Sequence, residues 1–331
     1  MLSGLLLVPF GLGLLAFFLR SKVALRLTLL LGALVHFGVV VTLWHYPTSE
    51  TLLGGWVERD ALGTLFLSIT SLLFLCAALF GQGYLGGETR LFPPSHQAVF
   101  VGCLLMFLST MTLACLSQHL GLLWVAIEAT TLASATMIYF HRSSRSLEAT
   151  WKYLVICSVG IALALLGNFL LGLAASVGGG ASQSLVMKDL LAGGSHLSAP
   201  WLKVAFVFFL VGYGTKMGLA PMHTWLPDAH SEAPSMVSAL LSGALLNNAF
   251  LGILRMRQVC LAAGLANFGQ GALLALGMIS MAVAVVFIVR QTDYKRLLAY
   301  SSVEHMGIMA IGIGLGGPGI FAALFHAVSH S

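Results

Sequence analysis

Stretches of about 20 apolar residues, separated by short polar connectors, recur along the whole 331-residue sequence. An α-helix of about that length is needed to cross a hydrocarbon layer about 30 Å thick. The sequence is 58% hydrophobic and only 8% charged, against about 25% charged residues in ordinary soluble domains. A water-soluble globule of this composition could not cover its surface. The sequence therefore predicts an all-α fold, a polytopic bundle of transmembrane helices.

Ten complete spans and one incomplete span are predicted from the hydrophobic pattern. The last segment starts near Gly319 and has no flanking charge, cap or interfacial aromatic residue to end it. Ile320–Ser331 therefore reads as half of a membrane helix, and we expect the chain to be truncated or split there. The complete spans are Leu5–Leu19, Leu25–Trp44, Leu62–Tyr84, Ala98–Leu116, Leu120–Phe140, Trp151–Ala175, Trp201–Leu219, Met236–Met256, Leu265–Ile288 and Leu298–Leu315.

The basic residues define a topology and argue against a nucleic-acid partner. If the odd spans run from outside to inside, ten Lys and Arg residues fall on the inner side and five on the outer side. This surplus places the N-terminus outside by the positive-inside rule, and it accounts for the net charge of +5. The inner set is Arg20, Lys22, Arg26, Arg90, Arg142, Arg145, Lys152, Arg290, Lys295 and Arg296, and the outer set is Arg59, Lys188, Lys203, Arg255 and Arg257.

Three connectors differ from the short ones. Tyr46–Ala61 and Ser176–Pro200 are long, fall on the predicted outer side and are expected to lie on the surface as caps. Ala220–Ser235 combines three prolines with Trp, Asp, His and Glu, a composition that indicates an ordered loop. The seventh span before it carries three glycines around Lys216. We expect an interrupted helix there, because transporters build ion sites from broken membrane helices.

Two charged residues lie deep inside predicted spans. Glu128 has apolar residues on both sides in the fifth span, and Lys216 is similarly embedded in the seventh. A charge at the centre of the bilayer costs about 2.5–3.5 kcal/mol on insertion scales, so such residues are functional by default. Burial lowers the pKa of a lysine and a nearby carboxylate raises it again, as a proton relay requires. Two structural alternatives stay open, namely a protonated Glu128 that only holds the bundle together and a static Glu128–Lys216 ion pair.

Histidines add further titratable groups, but no cofactor site is indicated. His326 and His330 lie four residues apart on one helical face, and His305 lies one turn into the tenth span. Since histidine titrates near neutral pH, proton transfer is favoured over metal binding, for which no third ligand type lies nearby in the sequence. The five cysteines have no C-x-x-C spacing, and nucleotide, haem and nucleophile-elbow motifs are missing from the sequence. We therefore expect no cofactor and no metal.

Several segments resemble one family of membrane subunits. The longest is Gly212–Ser235, which reads GYGTKMGLAPMHTWLPDAHSEAPS. Shorter matches are Trp124–Thr131, Gln291–Ser302 with the nearby His305, and Phe325–His330. From Ala98 to the end, the sequence resembles the antiporter-like subunits of respiratory complex I, Mrp cation/proton antiporters and membrane-bound hydrogenases. The residues after Glu128 and around Trp151 are most similar to the hydrogenase-4 component F type.

The resemblance implies a fold of about fourteen helices with two inverted five-helix repeats, each with a broken helix. Residues 1–97 would form three N-terminal helices, 98–256 a first repeat and 257–331 an incomplete second repeat. The implied relay begins with the pair Glu128 and Lys216, tuned by Lys152. His305, His326 and His330 would continue it, and Asn247 stands where many relatives have a lysine, so that water held by Asn247 and Asn248 would carry the proton.

The function implied by the resemblance is proton translocation in a complex I-like or hydrogenase-type oxidoreductase whose redox chemistry takes place in other subunits. The expected location is the cytoplasmic membrane of a bacterium or archaeon, and the expected partners are other membrane subunits, the lipid bilayer and protons. The alternatives are an Mrp-type cation/proton antiporter subunit, a subunit of a bicarbonate-uptake complex, or a scaffold that moves no ions.

Overall fold

The computed structural model describes residues 1–46, 50–87, 92–179 and 184–331, and these ranges are almost entirely helical. The predicted all-α bundle is therefore confirmed. Arg90, which is assigned to the inner side from the sequence, lies outside the described residues. The helices are α1 (Leu2–Phe18), α2 (Lys22–His45), α3 (Ala61–Tyr84), α4 (Pro94–Leu116), α5 (Leu120–Ile138), α6 (Ser144–Val177), α7 (Met187–Ala192), α8 (Ala199–Met217), α9 (Trp225–Glu232), α10 (Ser235–Leu240), α11 (Leu246–Ala262), α12 (Gln270–Val289), α13 (Tyr294–Leu315) and α14 (Pro318–His330).

Within the described ranges, eight helical stretches are long and apolar enough to cross a membrane, with α10 and α11 joined as one. Two of the predicted spans fall outside this set. Helix α1 is apolar but has only 17 residues, and α8 has 19 residues and ends one residue after Lys216. Helix α1 is therefore too short, whereas α8 is long enough but contains Lys203 and Lys216, which lower its mean hydropathy.

The predicted boundaries differ most at α6, which begins at Ser144 instead of Trp151. The first part of the helix contains many polar residues, so a prediction from hydropathy does not include it. A capping box stabilises it: the Ser143 hydroxyl accepts from the Ser146 N–H, and the Ser146 hydroxyl accepts from the Ser143 N–H. These bonds satisfy two of the backbone N–H groups that the first helical turn leaves unpaired.

The predicted eighth span is not a uniform α-helix. Between α10 and α11 the backbone forms a π-helical turn at Leu241–Leu245. Such turns are uncommon and occur often at functional sites. This turn carries Ser242 and Gly243, and Asn247 follows it in the first turn of α11.

The described parts of the two long outer connectors pack onto the helix ends, as the expectation of surface caps requires. Strands β1 (Thr51–Leu52) and β2 (Val57–Glu58) form a short antiparallel hairpin, and Val57 also bridges to Ser117 after α4. The second connector bridges back through Val186 to His119 before it forms α7.

Small residues let α6 and α8 approach closely. A Cβ atom added at Gly160 would lie 2.6 Å from the Thr215 Cβ, and one added at Gly212 would lie 2.7 Å from the Ala164 Cβ. Glycine and alanine at a membrane helix interface allow this close contact between backbones. As a result, the end of α8, with Lys216, is pressed against α6.

Candidate functional site

The interrupted helix predicted around Lys216 is present. Helix α8 ends at Met217, and Gly218 adopts a left-handed φ of 83°, which glycine reaches without steric cost. A loop leads to α9, where the Trp225 indole N–H donates to the Thr215 carbonyl at 2.9 Å. The Thr215 carbonyl lies in the last turn of α8, so this bond ties α9 to the end of that helix. The break therefore fixes Lys216 at a helix terminus inside the protein.

Lys216 is completely buried, and its ammonium group contacts two hydroxyls. Its Nζ donates to Thr131 Oγ1 on α5 at 2.8 Å and to the Tyr153 hydroxyl on α6 at 2.6 Å. The same Nζ lies 4.4 Å from the centre of the Tyr153 ring, a cation–π contact. Ser134 Oγ lies 2.6 Å from the Tyr153 hydroxyl and completes the cluster.

Glu128 reaches this cluster through a hydroxyl and not directly. Its carboxylate accepts from Ser158 Oγ at 2.8 Å and from Thr131 Oγ1 at 3.4 Å. The ion pairs found among the described residues do not include Glu128 with Lys216. The two groups are therefore not held as a static ion pair. Thr131 stands between them, able to accept from the lysine and donate to the carboxylate.

Lys152 lies elsewhere, at the surface. Its ammonium group contacts the Glu148 carboxylate at 2.6 Å and the Asp228 carboxylate at 2.9 Å, and 45% of the side chain is exposed. Asp228 also binds Arg296 at 2.6 Å, so it joins α6, α9 and α13. Within the described ranges, the two carboxylates that pair with Lys152 form no ion pair with Lys216. The predicted tuning of the Glu128–Lys216 pair by Lys152 stays a prediction without a direct contact.

The three predicted histidines meet between α13 and α14. His305 Nδ1 lies 3.0 Å from His326 Nε2, and the rings of His305 and His330 are centred 4.3 Å apart. His330 Nε2 lies 3.3 Å from Ser242 Oγ on the π-helical turn, and Ser242 Oγ lies 2.7 Å from Ser302 Oγ. A continuous polar cluster thus links the last helix to the turn between α10 and α11.

A cavity of about 500 Å³ opens beside this cluster. His305 and His330 line it together with His230 of α9 and Lys295 at the start of α13. His230 is buried, and its Nε2 has no hydrogen-bond partner among the described residues. His230 is not one of the relay residues predicted from the sequence. Its position in the dense connector Ala220–Ser235 is the signal that could have identified it.

Asn247 and Asn248 are both buried at the start of α11. The Asn247 amide donates to the Gly243 carbonyl at 2.7 Å and to Ser331 Oγ at 2.8 Å. Asn247 Oδ1 and Asn248 Nδ2 have no partner within the described part of the chain. Buried polar atoms of this kind need a hydrogen-bond partner, which ordered water can provide. The water held by the two amides stays a prediction.

Three hydroxyl residues around the charged pair are less visible in the sequence. Thr131 stands out there only as a hydrogen-bonding neighbour of Glu128, and Tyr153 and Ser158 are not among the predicted relay residues. All three lie in ordinary apolar spans, where a hydroxyl carries no special signal. Their importance comes from the close packing of α5, α6 and α8 around Lys216.

This chain is similar to membrane subunits of several complexes. The hydrogenase-4 component F homolog of Methylacidiphilum infernorum is 40% identical over 292 residues, which cover 84% of this chain and 59% of that protein. A chain of respiratory complex I from Thermus thermophilus superposes with a TM-score of 0.77 at 26% identity, covering 98% of this chain and 67% of the other. A chain of the Mrp complex from Dietzia sp. DQ12-45-1b superposes with a TM-score of 0.84 at 20% identity, covering 99% and 61%.

The chain thus spans about three fifths of the length of its 40%-identical relative. Residues 117–331 match the family described as NADH:quinone oxidoreductase/Mrp antiporter, transmembrane. That match includes Glu128, the broken helix with Lys216, and the histidine cluster. This protein is therefore a membrane-spanning member of the NADH:quinone oxidoreductase/Mrp antiporter family.

Proposed function

We propose that this chain is a proton-translocating membrane subunit of a complex I-like or hydrogenase-type oxidoreductase complex. The observation that carries the proposal is the connected path from Lys216 through Thr131 to Glu128. A fully buried lysine and a half-buried carboxylate joined by one hydroxyl form a pair whose charges can be neutralised by moving one proton. The 40%-identical relative, named a hydrogenase-4 component F homolog, supports the choice of complex.

The transfer step needs only Lys216, Thr131 and Glu128. The Lys216 ammonium gives a proton to Thr131 Oγ1 while Thr131 gives its own proton to the Glu128 carboxylate. Two charges become a neutral amine and a neutral acid, which a low-dielectric interior favours because burial penalises charged forms. Tyr153 and Ser134 hold the lysine in place through their hydroxyls. A movement that lengthens the contact to Thr131 would switch the transfer off.

The histidine cluster and its cavity supply a second part of the proposed route. Lys295 and Arg296 mark the predicted inner side, and the cavity lined by Lys295 leads to His230, His305 and His330. Histidines can take up a proton near neutral pH and pass it on. Among the described residues, the hydrogen bonds of this cluster do not reach Lys216. The connection between the two clusters, including the role of Asn247, is therefore part of the proposal.

Partners belong to the proposal as well. The solved chains that superpose on this one come from complexes named respiratory complex I and Mrp complex. We propose that this chain works beside other membrane subunits, one of which transmits the energy of a redox reaction. The division into residues 1–97, 98–256 and 257–331 is part of the same proposal.

Replacing Glu128 with Gln tests the function. Gln keeps the size and can still accept from Ser158, so the chain should assemble, but an amide cannot take up the proton passed by Thr131. We expect a severalfold lower proton flux into vesicles that contain the purified complex, followed with an internal pH-sensitive dye. Glu148→Gln is the matched control and should leave flux unchanged, since Glu148 is 65% exposed and pairs only with Lys152 among the described residues.

Three results would contradict the proposal. Unchanged flux in Glu128→Gln would remove the carboxylate from the mechanism. Transport that follows an imposed sodium gradient, with protons moving only in exchange for sodium, would instead favour the Mrp-type antiporter. A dependence on bicarbonate would favour an uptake complex.

A further inference from the structure

Hydroxyl side chains follow one face of α3 from the outer connector towards the middle of the bundle. Thr64, Ser68 and Ser71 are spaced four and three residues apart, so they lie on the same side of the helix. At the connector end, Thr64 Oγ1 accepts from Arg59 Nε at 3.2 Å. Ser68 Oγ accepts from the Trp44 indole N–H at 2.9 Å. Neighbours at this spacing have Cβ atoms about 5–6 Å apart, a gap that one water molecule can bridge. Thr64 and Ser68 donate their hydroxyl hydrogens to the Asp60 and Thr64 carbonyls, both at 2.7 Å, so proton transfer requires these hydroxyls to rotate towards that water.

The line of hydroxyls ends at a buried histidine that the relay through Lys216 does not use. His36 on α2 is 2% exposed. Its Nδ1 lies 2.8 Å from Ser71 Oγ, and its Nε2 lies 2.9 Å from Thr112 Oγ1 on α4. Both ring nitrogens therefore have hydroxyl partners on different helices. An imidazole held in this way can accept a proton on one nitrogen and release one from the other.

Another residue of α4 contacts the paired amides of α11. Cys115 follows Thr112 by three residues on the same helical face, and its thiol donates to Asn248 Oδ1 at 3.0 Å. Asn248 Nδ2 and the neighbouring Asn247 Oδ1 are two of the buried atoms without a hydrogen-bond partner among the described residues. Groups of this kind need another polar partner, so the route ends where ordered water is expected.

We propose that these residues form a second proton branch, between the outer surface at Arg59 and the Asn247–Asn248 pair, with His36 as its titrating group. This inference rests on the proposed function, since it adds a route to the same translocation. One proton moves in each step. Neutral His36 first gains a proton at the ring nitrogen that faces one hydroxyl, and the imidazolium then loses a proton from the other ring nitrogen. At His36 only N–H and O–H bonds form and break, and at Cys115 an S–H bond breaks and re-forms. The branch would give α2 and α3 a part in transport.

His36→Gln separates proton transfer from simple packing. Glutamine can bond both Ser71 and Thr112, so a histidine that only clamps three helices together would be replaced without loss. It does not titrate, so a relay would be interrupted. We expect the purified complex to assemble normally and its proton flux into vesicles to fall severalfold. His45→Gln, at the exposed end of the same helix, is the matched control and should have no effect.

Ser68→Ala gives a second, independent measurement because it removes the middle hydroxyl and leaves every contact of His36 intact. We expect lower proton flux in Ser68→Ala. Wild-type flux in Ser68→Ala would overturn the branch, and this test does not depend on whether His36→Gln assembles. Wild-type flux in His36→Gln would overturn it as well. The Glu128→Gln variant, measured in the same vesicles, keeps the two proposals apart. If Glu128→Gln loses flux and the His36 and Ser68 variants do not, the branch is wrong and the proposed function stands.

Discussion

Replacing Lys216 with Met is expected to lower proton flux at least about a hundredfold, the low end of what a positioned acid–base group contributes. Methionine fills a similar volume and can pack against the Tyr153 ring, so we expect α8 to keep its place. The variant lacks the proton that Lys216 passes to Thr131, and both hydroxyl partners lose their donor. The measurement is dye-monitored flux into vesicles that contain the assembled complex.

Lys203→Met is the matched control for this prediction. Lys203 lies on the same helix, near its start, and its Nζ is 5.4 Å from the centre of the Phe268 ring. It has no part in the path from Lys216 to Glu128, so flux should stay close to the wild-type value. A similar loss in both variants would mean that α8 tolerates no lysine replacement and that the effect is not specific to proton transfer.

Replacing Asp60 with Ala is expected to lower the free energy of unfolding by about 3 kcal/mol, the low end of the range for breaking a buried ion pair. Arg255 is 1% exposed, and its Nη2 donates to the Asp60 carboxylate at 3.0 Å. Asp60 also accepts from Gln118 Nε2 at 2.9 Å and caps the start of α3. Without Asp60, the Arg255 charge stays buried with only Gln118 Oε1 and the Cys115 carbonyl as acceptors among the described residues.

Denaturation of the purified protein in mixed detergent micelles, followed by circular dichroism, measures this loss. Asp189→Asn on the exposed side of α7 is the control, and surface substitutions of this kind usually change stability by less than about 0.5 kcal/mol. Equal stability of the Asp60 and Asp189 variants would show that the buried guanidinium finds other partners and that the ion pair does not hold the outer helix ends together.

The helices could be predicted largely from hydrophobicity because the membrane requires long apolar stretches. The difference at α6 shows the limit of that signal, since its first turns are polar and depend on the capping bonds between Ser143 and Ser146. The π-helical turn at Leu241–Leu245 could not be predicted from hydropathy, because its residues are as apolar as those of the flanking helices. Charge counting places Arg255 among the outer basic residues, and its burial beside Asp60 depends on the fold of a distant connector.

The charged members of the candidate site could be predicted because a charge inside a membrane span is costly and therefore informative. The groups that join them could not, since a hydroxyl such as Thr131 becomes a link only when three helices pack closely. That packing depends on Gly160 and Gly212, whose missing side chains let α6 and α8 touch. Lys152 shows the opposite case: the family resemblance implies a tuning role, whereas its ammonium group contacts Asp228 at the surface.

The most direct test of the proposed relay is the proton flux of Lys216→Arg in the assembled complex. Arginine keeps the positive charge and can still donate to Thr131 and Tyr153, but it does not lose its proton in proteins. If Lys216 works by releasing a proton to Thr131, the Arg variant will assemble and its flux will fall to the level of Lys216→Met. Full proton flux with arginine at this position would contradict the account, because a fixed positive charge would then be sufficient.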